Sequence, residues 1–328
     1  MAKKNDQPKE KFKTMIGGQA LIEGIMMRGP EKDAVVVRTA DGLKVDVKPR
    51  KVHKKGSIAT WPLIRGVIGF FDSQFTGVKA MMDSADLAPD EQQEEPSKLD
   101  KWLEKKLGNE RFQKLVLGFA VFIGLLMSIA LFFVLPILIG SVLQTWIHSD
   151  LLINLIEGLI RMIIFTGYML LISRMKEMRR VFAYHGAEHK TIRCYEAGLP
   201  LTVENVRRMT RLHPRCGTSF LLVVMLLSIL VFSLATWLIG LFPALDFMVG
   251  SRLIKIVLKL ALLPLVVAIA YEINRWVGRH DNWLTKILTA PGMWFQKFTT
   301  VEPDDSMIEV GITAVEAVLP EKEGDDLW

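Results

Sequence analysis

Three residues in one short segment have the types and spacing of a metal site. His185, Glu188 and His189 form the pattern H-x-x-E-H, which places all three side chains on one face of a helix. In the inverted zinc-peptidase pattern of this form, the two imidazoles bind a metal ion and the glutamate activates the metal-bound water. The spacing therefore predicts that His185 and His189 are metal ligands and that Glu188 is the general base.

A further histidine and a cysteine lie close together later in the chain. His213 and Cys216 are three residues apart, and imidazole and thiolate groups both bind zinc or iron. A catalytic zinc ion takes three protein ligands and keeps one position for water, so one more ligand completes the predicted site. The candidates are Glu272, His213, Cys216 and Glu196. The expected cofactor is a divalent metal, zinc rather than iron.

Two other interpretations of these residues stay open. The segment 173–216 is rich in arginine and lysine, so its histidines could instead bind lipid phosphates or backbone carbonyls, with Cys216 as a small buried residue. The other interpretation is a nucleophilic Cys216 assisted by His213. A spacing of three residues does not by itself establish the geometry that such a nucleophile needs.

The composition of the chain is that of a membrane protein. Of its 328 residues, 50% are apolar and 23% are charged, and the mean hydropathy is +0.28. The apolar residues are concentrated in long runs with few charges, which excludes a disordered protein. Two cysteines are too few for a disulfide framework. Four runs predict transmembrane helices, and they span residues 115–143, 151–172, 217–240 and 253–276.

The charges between these runs predict the direction of each helix. The net charge is +6, and the arginines and lysines of the segment 173–216 mark it as a cytoplasmic loop. Both termini then lie on the same side, with a disordered stretch over 1–14, a cytoplasmic region over 15–114 and a cytoplasmic tail over 277–328. Because the positive-inside rule explains the charge, no nucleic acid is expected as a partner. Membrane lipids, a second copy of the chain or another membrane protein are the expected partners.

Charged residues inside two of the predicted membrane helices suggest a polar contact within the bundle. Glu157 in the second run and Lys259 in the fourth lie at similar depth, so they can pair inside the bundle. Alternatively, Glu157 is neutralised by Arg161, four residues further along the same helix, while the lysines extend to the membrane surface. Arg252, Lys255 and Lys259 lie at the outer end of the fourth run, which the positive-inside rule does not predict.

The N-terminal region predicts a small α+β structure. Residues 35–38 and 44–47 are rich in β-formers and flank an Asp-Gly turn, the pattern of a β-hairpin. Apolar residues recur at helical spacing over 61–82 and again over 99–112, which predicts two amphipathic helices at a membrane surface. The expected fold is therefore a membrane α-helical protein with about four transmembrane helices and a small α+β cytoplasmic region.

The glycine-rich stretch 17–30 has no spacing of a nucleotide-binding loop. It matches neither a dinucleotide fingerprint nor a P-loop, so its glycines are expected to allow close approach of the backbone to other groups. Glu23 and Arg28 in this stretch are candidates for a site pair or for a structural ion pair.

Six segments of the chain together carry a resemblance to a known family. They are 17–30, 62–66, 184–190, 201–207, 213–220 and 291–305. Through them the chain resembles, from residue 17 to about 319, the YqhQ-like family of bacterial multi-pass membrane proteins of unknown function. Members of that family are sometimes described as predicted metal-dependent enzymes.

The resemblance implies a place in the bacterial cytoplasmic membrane but supplies no substrate. Its motif residues are all present in this chain, at His185, Glu188, His189, His213 and Cys216. The expected function is a metal-binding membrane protein, with metal-dependent hydrolysis as its reaction class. One alternative is a non-catalytic membrane scaffold that binds lipids or partners. A transporter is another, although four helices without a visible internal repeat argue against a familiar carrier fold.

Overall fold

The computed structural model describes residues 8, 10–50, 56–87, 109–242, 251–322 and 324–327. Contacts divide these residues into two compact units. The first, called the sheet unit here, falls within Met1–Ala88, Tyr168–Leu227 and Pro264–Trp328. The second, the bundle unit, falls within Pro89–Gly167 and Ser228–Leu263.

The sheet unit contains a four-stranded antiparallel sheet with the strands in chain order. The predicted hairpin is confirmed, because Val36 faces Val45 and Val37 faces Lys44 across the last two strands. Gly42 takes a φ of +124° in the turn between them, a conformation that favours glycine. The strands are β1 Gly17–Leu21, β2 Gly24–Arg28, β3 Lys32–Thr39 and β4 Gly42–Pro49.

The glycine-rich stretch forms the first two strands, which the sequence pattern did not predict. Residues of β2 are buried on both faces of the sheet, so they lack the apolar–polar alternation that identifies a half-buried strand. The suggested pair of Glu23 with Arg28 is wrong. Glu23 instead accepts hydrogen bonds from the Arg180 guanidinium and the Tyr184 hydroxyl, and Arg28 pairs with Asp33 and Asp72.

Ten α-helices follow the sheet within the described residues. The first, α1, confirms the amphipathic helix predicted over 61–82, although it begins at Ile64 and continues to Leu87. Of the second predicted amphipathic helix, 99–112, residues 99–108 lie outside the described part of the chain, and residues 109–112 belong to α2. A π-helical turn, Ala130–Val134, separates α2 from α3. The helices are α1 Ile64–Leu87, α2 Asn109–Ile129, α3 Leu135–Leu143, α4 Asp150–Ile172, α5 Lys176–Glu196, α6 Val203–Arg207, α7 Gly217–Gly240, α8 Arg252–Arg279, α9 Trp283–Thr299 and α10 Asp305–Val318.

Four stretches of helix in the described residues are long and apolar enough to cross a membrane. They are Gly118–Leu143, Asp150–Ile172, Gly217–Gly240 and Leu253–Arg279. The predicted membrane α-helical fold with a small α+β region is therefore confirmed. Most of the segment predicted as the loop 173–216 is helical, because it contains α5 and α6.

The core of the sheet unit explains why α5 is buried although it carries many charges. Alternate sheet residues, among them Ala34 and Val36, pack against Tyr184 and Ala187 of α5 and against α10. The opposite face of the sheet packs against Ala80 of α1. Because neighbouring residues of a strand point to opposite faces, the sheet buries apolar side chains in both directions and holds α5 in a fixed position.

The end of the stretch predicted as disordered, 1–14, is ordered in the structure. The backbone N–H of Lys11 donates to the carbonyl of Glu196 at 2.8 Å, and the Thr14 hydroxyl donates to Asp326 at 2.5 Å. Thr14 is only 2% exposed. The last residues of this stretch therefore belong to the sheet unit, because their polar groups bind buried carboxylates and carbonyls.

The bundle unit contains the polar contact that the charges inside the membrane helices predicted. Lys259 forms a buried ion pair with Glu157 and donates a hydrogen bond to the Asn154 side chain at 2.9 Å. The pairing of Glu157 with Lys259 is confirmed. The alternative is wrong, because it pairs Glu157 with Arg161 and extends the lysine to the surface. Lys259 is only 7% exposed.

Arg161 has other partners in the same unit. Its Nε donates to the carbonyl of Phe132 at 2.8 Å, and its Nη1 donates to the Ser228 hydroxyl at 2.8 Å. Phe132 lies in the π-helical turn, where the shift in hydrogen-bond spacing leaves a carbonyl free for a side-chain donor. A cavity of about 320 Å³ lies beside the Glu157–Lys259 pair.

Candidate metal centre

The helix α5 carries the predicted motif and is fixed at several points. Arg180 and Tyr184 bind the buried carboxylate of Glu23 in the turn between β1 and β2. The carbonyl of Phe182 accepts the backbone N–H of Val301 at 2.8 Å. These anchors lie within the five residues before His185, so His185 and His189 project from a rigid support.

Three of the predicted residues bring potential ligand atoms together. One ring nitrogen of His185, one of His189 and the sulfur of Cys216 lie within 4.8 Å of one another. A tetrahedral zinc ion with Zn–N bonds of about 2.1 Å and a Zn–S bond of about 2.3 Å separates its ligand atoms by about 3.4–3.6 Å. The three ligand atoms therefore lie close to the spacing that a zinc ion requires.

Backbone carbonyls fix the orientation of both imidazoles. Nδ1–H of His185 donates to the carbonyl of Thr299 at 2.8 Å, and Nδ1–H of His189 donates to the carbonyl of Arg211 at 2.6 Å. With Nδ1 as the donor, Nε2 is the nitrogen that each ring offers as a ligand atom. Histidines that bind metals almost always donate their second ring N–H in this way. Nε2 of His189 is buried and has no hydrogen-bond partner among the described residues.

Cys216 stands just before the first residue of α7, where a thiolate is favoured. Its sulfur lies 3.1 Å from Nε2 of His185 and accepts the backbone N–H of Thr218 at 3.4 Å. Burial raises the pKa of this thiol, but the neighbouring His189 and the two Thr218 donors together lower it by more. The pKa of Cys216 is therefore below its usual value. A helix N-terminus also stabilises a thiolate, and the thiolate is the form that binds metals.

Glu188 lies beside this group with one free carboxylate oxygen. Its Oε1 accepts the backbone N–H of Gly18 at 3.0 Å, whereas the buried Oε2 has no partner among the described residues. Burial raises the pKa of Glu188 to about 7. Glu188, His189 and Cys216 all line one cavity of about 290 Å³, which provides space for a substrate next to the ligand atoms.

His213 and Glu196, two of the predicted ligands, form a separate network beside the site. Nε2 of His213 lies 3.2 Å from the Glu196 carboxylate, and burial lowers the pKa of His213 well below its usual value. The backbone N–H of Thr14 also donates to Glu196 at 2.9 Å, and Arg215 pairs with it. Both residues are therefore occupied elsewhere and do not belong to the group of three ligand atoms found in the described residues.

Glu272, another predicted ligand, lies elsewhere in the sheet unit. It accepts two hydrogen bonds from the Arg65 guanidinium and one from the backbone N–H of Leu63 at 3.3 Å. It is absent from the group of three ligand atoms that the described part of the chain contains. The bidentate pair with Arg65 ties the start of α1 to α8, which is a structural role.

Several groups that shape the site were not predicted. The carbonyls of Thr299 and Arg211 orient the imidazoles, and Gln296 holds the backbone of His213 from both sides, at 2.8 and 2.7 Å. A backbone carbonyl leaves no signal in the residue type at its position. Thr218 is different, because it follows Cys216 by two residues, and this spacing could have indicated from the sequence that its N–H reaches the sulfur.

The backbone of Gly18 lies so close to its neighbours that a side chain does not fit. A Cβ at this position would lie 2.5 Å from the carbonyl oxygen of Met26 and 3.2 Å from the carboxyl carbon of Glu188. We expect Gly18→Ala to lower the free energy of unfolding by about 1–3 kcal/mol, the usual cost of overpacking. Gly17→Ala is the matched control, because a Cβ there meets nothing within 4 Å. Thermal unfolding in detergent measures both, and equal stability of the two variants would contradict the close contact.

Comparison with known proteins gives the family of the chain. Residues 61–321 match the family described as protein of unknown function DUF1385. The chain belongs to this family. It is also 31% identical over 319 residues to uncharacterized protein YqhQ of Bacillus subtilis strain 168, and this alignment covers 95% of the chain and 94% of that protein. The predicted resemblance is confirmed. No solved structure matches the chain.

Proposed function

We propose that this membrane protein is a zinc-dependent hydrolase of the bacterial cytoplasmic membrane, with its site on the cytoplasmic face. His185, His189 and Cys216 hold the metal, and a water molecule takes the fourth position. Glu188 acts as the general base toward that water. In this proposal both chain termini are cytoplasmic, as the basic segment between α4 and α7 suggests.

The observation that carries the proposal is the orientation of the two imidazoles. Both donate Nδ1–H to a backbone carbonyl, and both therefore present Nε2 toward the sulfur of Cys216. A histidine that serves only the core has no need for an unpaired buried Nε2, since burying a polar atom without a partner costs about 1–3 kcal/mol. A metal ion satisfies His189 Nε2, which has no partner within the described residues.

The ligand chemistry favours zinc, and the free carboxylate favours hydrolysis. Two imidazoles and a thiolate suit zinc, and three protein ligands leave one position open, as in catalytic zinc sites. Zinc lowers the pKa of a bound water to about 7. Glu188 is the candidate to accept its proton, because it lines the same cavity as His189 and Cys216 and its Oε2 has no partner in the described chain. An electron-transfer site would have no use for this carboxylate.

A second candidate function has one specific observation in its favour. The distance of 3.1 Å between Nε2 of His185 and the sulfur of Cys216 is also that of a cysteine nucleophile with a histidine base. The partner is His185 and not His213, which binds Glu196. In this alternative no metal is needed, and Cys216 forms the covalent bond with the substrate.

Elemental analysis of the detergent-purified protein tests the proposal. After a wash with a mild chelator, we expect about one zinc ion per chain in the wild type and in Glu188→Gln. We expect none in His189→Ala, because loss of one of three ligands removes the site. Zinc in all three proteins at equal content would contradict the assignment. Absence of zinc from all three would favour the cysteine nucleophile or the non-catalytic scaffold.

A further inference from the structure

The cavity beside the ligand atoms is lined by three guanidinium groups. Arg28, Arg50 and Arg215 all border the same space of about 290 Å³ as Glu188 and Cys216. Glu188 is the one carboxylate among the residues that line it. The lining therefore carries an excess of positive charge next to the proposed metal.

The three arginines differ in how far their charge is neutralised. Arg28 pairs with two aspartates, and Arg215 pairs with Glu196. Arg50 has no ion pair among the described residues, and its one side-chain hydrogen bond goes from Nη1 to the carbonyl of Gly29 at 3.0 Å. The Arg28 cation lies near Arg50, so an anion placed between the two would relieve their repulsion.

Other donors in the cavity are also unused. The side chain of Arg215 is 7% exposed, yet its buried Nε has no hydrogen-bond partner within the described residues. Ser73 and Tyr271 line the same space. A planar guanidinium with free N–H groups suits the oxygen atoms of a phosphate, which it binds with two parallel hydrogen bonds.

We infer that this cavity binds the phosphate group of a phosphoester, held by Arg50 and Arg215 beside the metal. The inference rests on the proposed function, because it names the substrate class of the same site. The phosphate oxygens accept hydrogen bonds from the guanidinium N–H groups of Arg50 and Arg215. The group comes either from a lipid head group or from a soluble phosphoester, since Tyr271 belongs to a helix long enough to cross the membrane.

Phosphate binding to variants of Arg50 tests the inference. Inorganic phosphate is titrated into the purified protein by calorimetry, both zinc-loaded and stripped of metal with a strong chelator. We expect Arg50→Met to weaken binding about 10- to 100-fold in both forms, the loss of one set of charge-assisted hydrogen bonds. Arg50→Lys keeps the charge but not the planar fork, so it should recover only part of the affinity. Arg179→Met is the matched control, because Arg179 is exposed on α5.

The outcomes separate this inference from the proposed function. Equal phosphate affinity in Arg50→Met and Arg179→Met would overturn the inference, even if both proteins hold zinc. If the purified protein takes up no zinc even when zinc is added, and Arg50→Met still loses phosphate binding, the anion site is supported and the metal is overturned. The source of the phosphate group is tested in nanodiscs, where the lipid can compete with inorganic phosphate for the site. A lipid head group is the source if the apparent phosphate affinity is weaker in phosphatidylglycerol than in phosphatidylcholine and if Arg50→Met removes this difference.

Discussion

Replacing Lys259 by methionine should destabilise the protein by about 3–5 kcal/mol, because it leaves the carboxylate of Glu157 buried without its cation. Glu157 is 4% exposed and Lys259 is 7% exposed, so water does not take the place of the missing partner. The loss corresponds to a change of about 10²- to 10⁴-fold in the equilibrium constant of unfolding. Reversible unfolding by added SDS, followed by circular dichroism, measures it.

A neighbouring lysine provides the control for this change. Lys255 lies about one helical turn before Lys259, and its nearest polar contact in the described residues is the Gln144 side chain at 3.4 Å. Lys255→Met should therefore change stability by less than about 1 kcal/mol. The double variant Glu157→Leu with Lys259→Met should recover most of the stability, because it removes both charges together. Equal stability of Lys259→Met and Lys255→Met would show that the pair contributes nothing.

The same double variant examines the transporter alternative. If the charge pair serves only folding, a stable variant without both charges should support growth as well as the wild type does. If the pair binds an ion or a proton during transport, the stable variant should fail in cells although it folds. The cavity of about 320 Å³ beside the pair provides space for such an ion.

The sequence predicted the features that depend on local pattern. Long apolar runs are sufficient to identify a membrane helix, because its length is set by the thickness of the bilayer. The motif of His185 and His189 was placed correctly on a helix, because side chains at i and i+4 share a face by helix geometry alone. The β3–β4 hairpin followed from its Asp-Gly turn.

The features that depend on tertiary packing were not predictable in the same way. Four candidates competed for the third ligand position, and local spacing carries no information about which of them approaches α5. Cys216 approaches because Gln296 of α9 holds the backbone at His213, a contact between residues far apart in the chain. Glu272 was a plausible ligand by type, but Arg65 binds it. The strands β1 and β2 escaped prediction because glycine and two-sided burial hide the alternation of a strand.

The two cysteines should differ in their reaction with N-ethylmaleimide by about 100-fold or more. Burial raises the pKa of Cys194 to about 11, so at pH 8 only about one molecule in 10³ carries the reactive thiolate. Its thiolate fraction rises about tenfold for each unit of pH until the pH approaches that value. Cys194 is also fully buried. Cys216 borders the cavity and receives the N–H of Thr218, which favours its thiolate.

Single-cysteine variants measure this difference and link it to the metal. Cys194→Ala reports on Cys216, and Cys216→Ala reports on Cys194, with alkylation followed by mass spectrometry. In protein stripped of its metal with a strong chelator we expect rapid alkylation of Cys216, and added zinc should slow it at least about tenfold, because a metal-bound thiolate is a poor nucleophile. The rate at Cys194 should not respond to zinc. Rapid alkylation of Cys216 that zinc leaves unchanged would instead assign Cys216 as a nucleophile with His185 as its base.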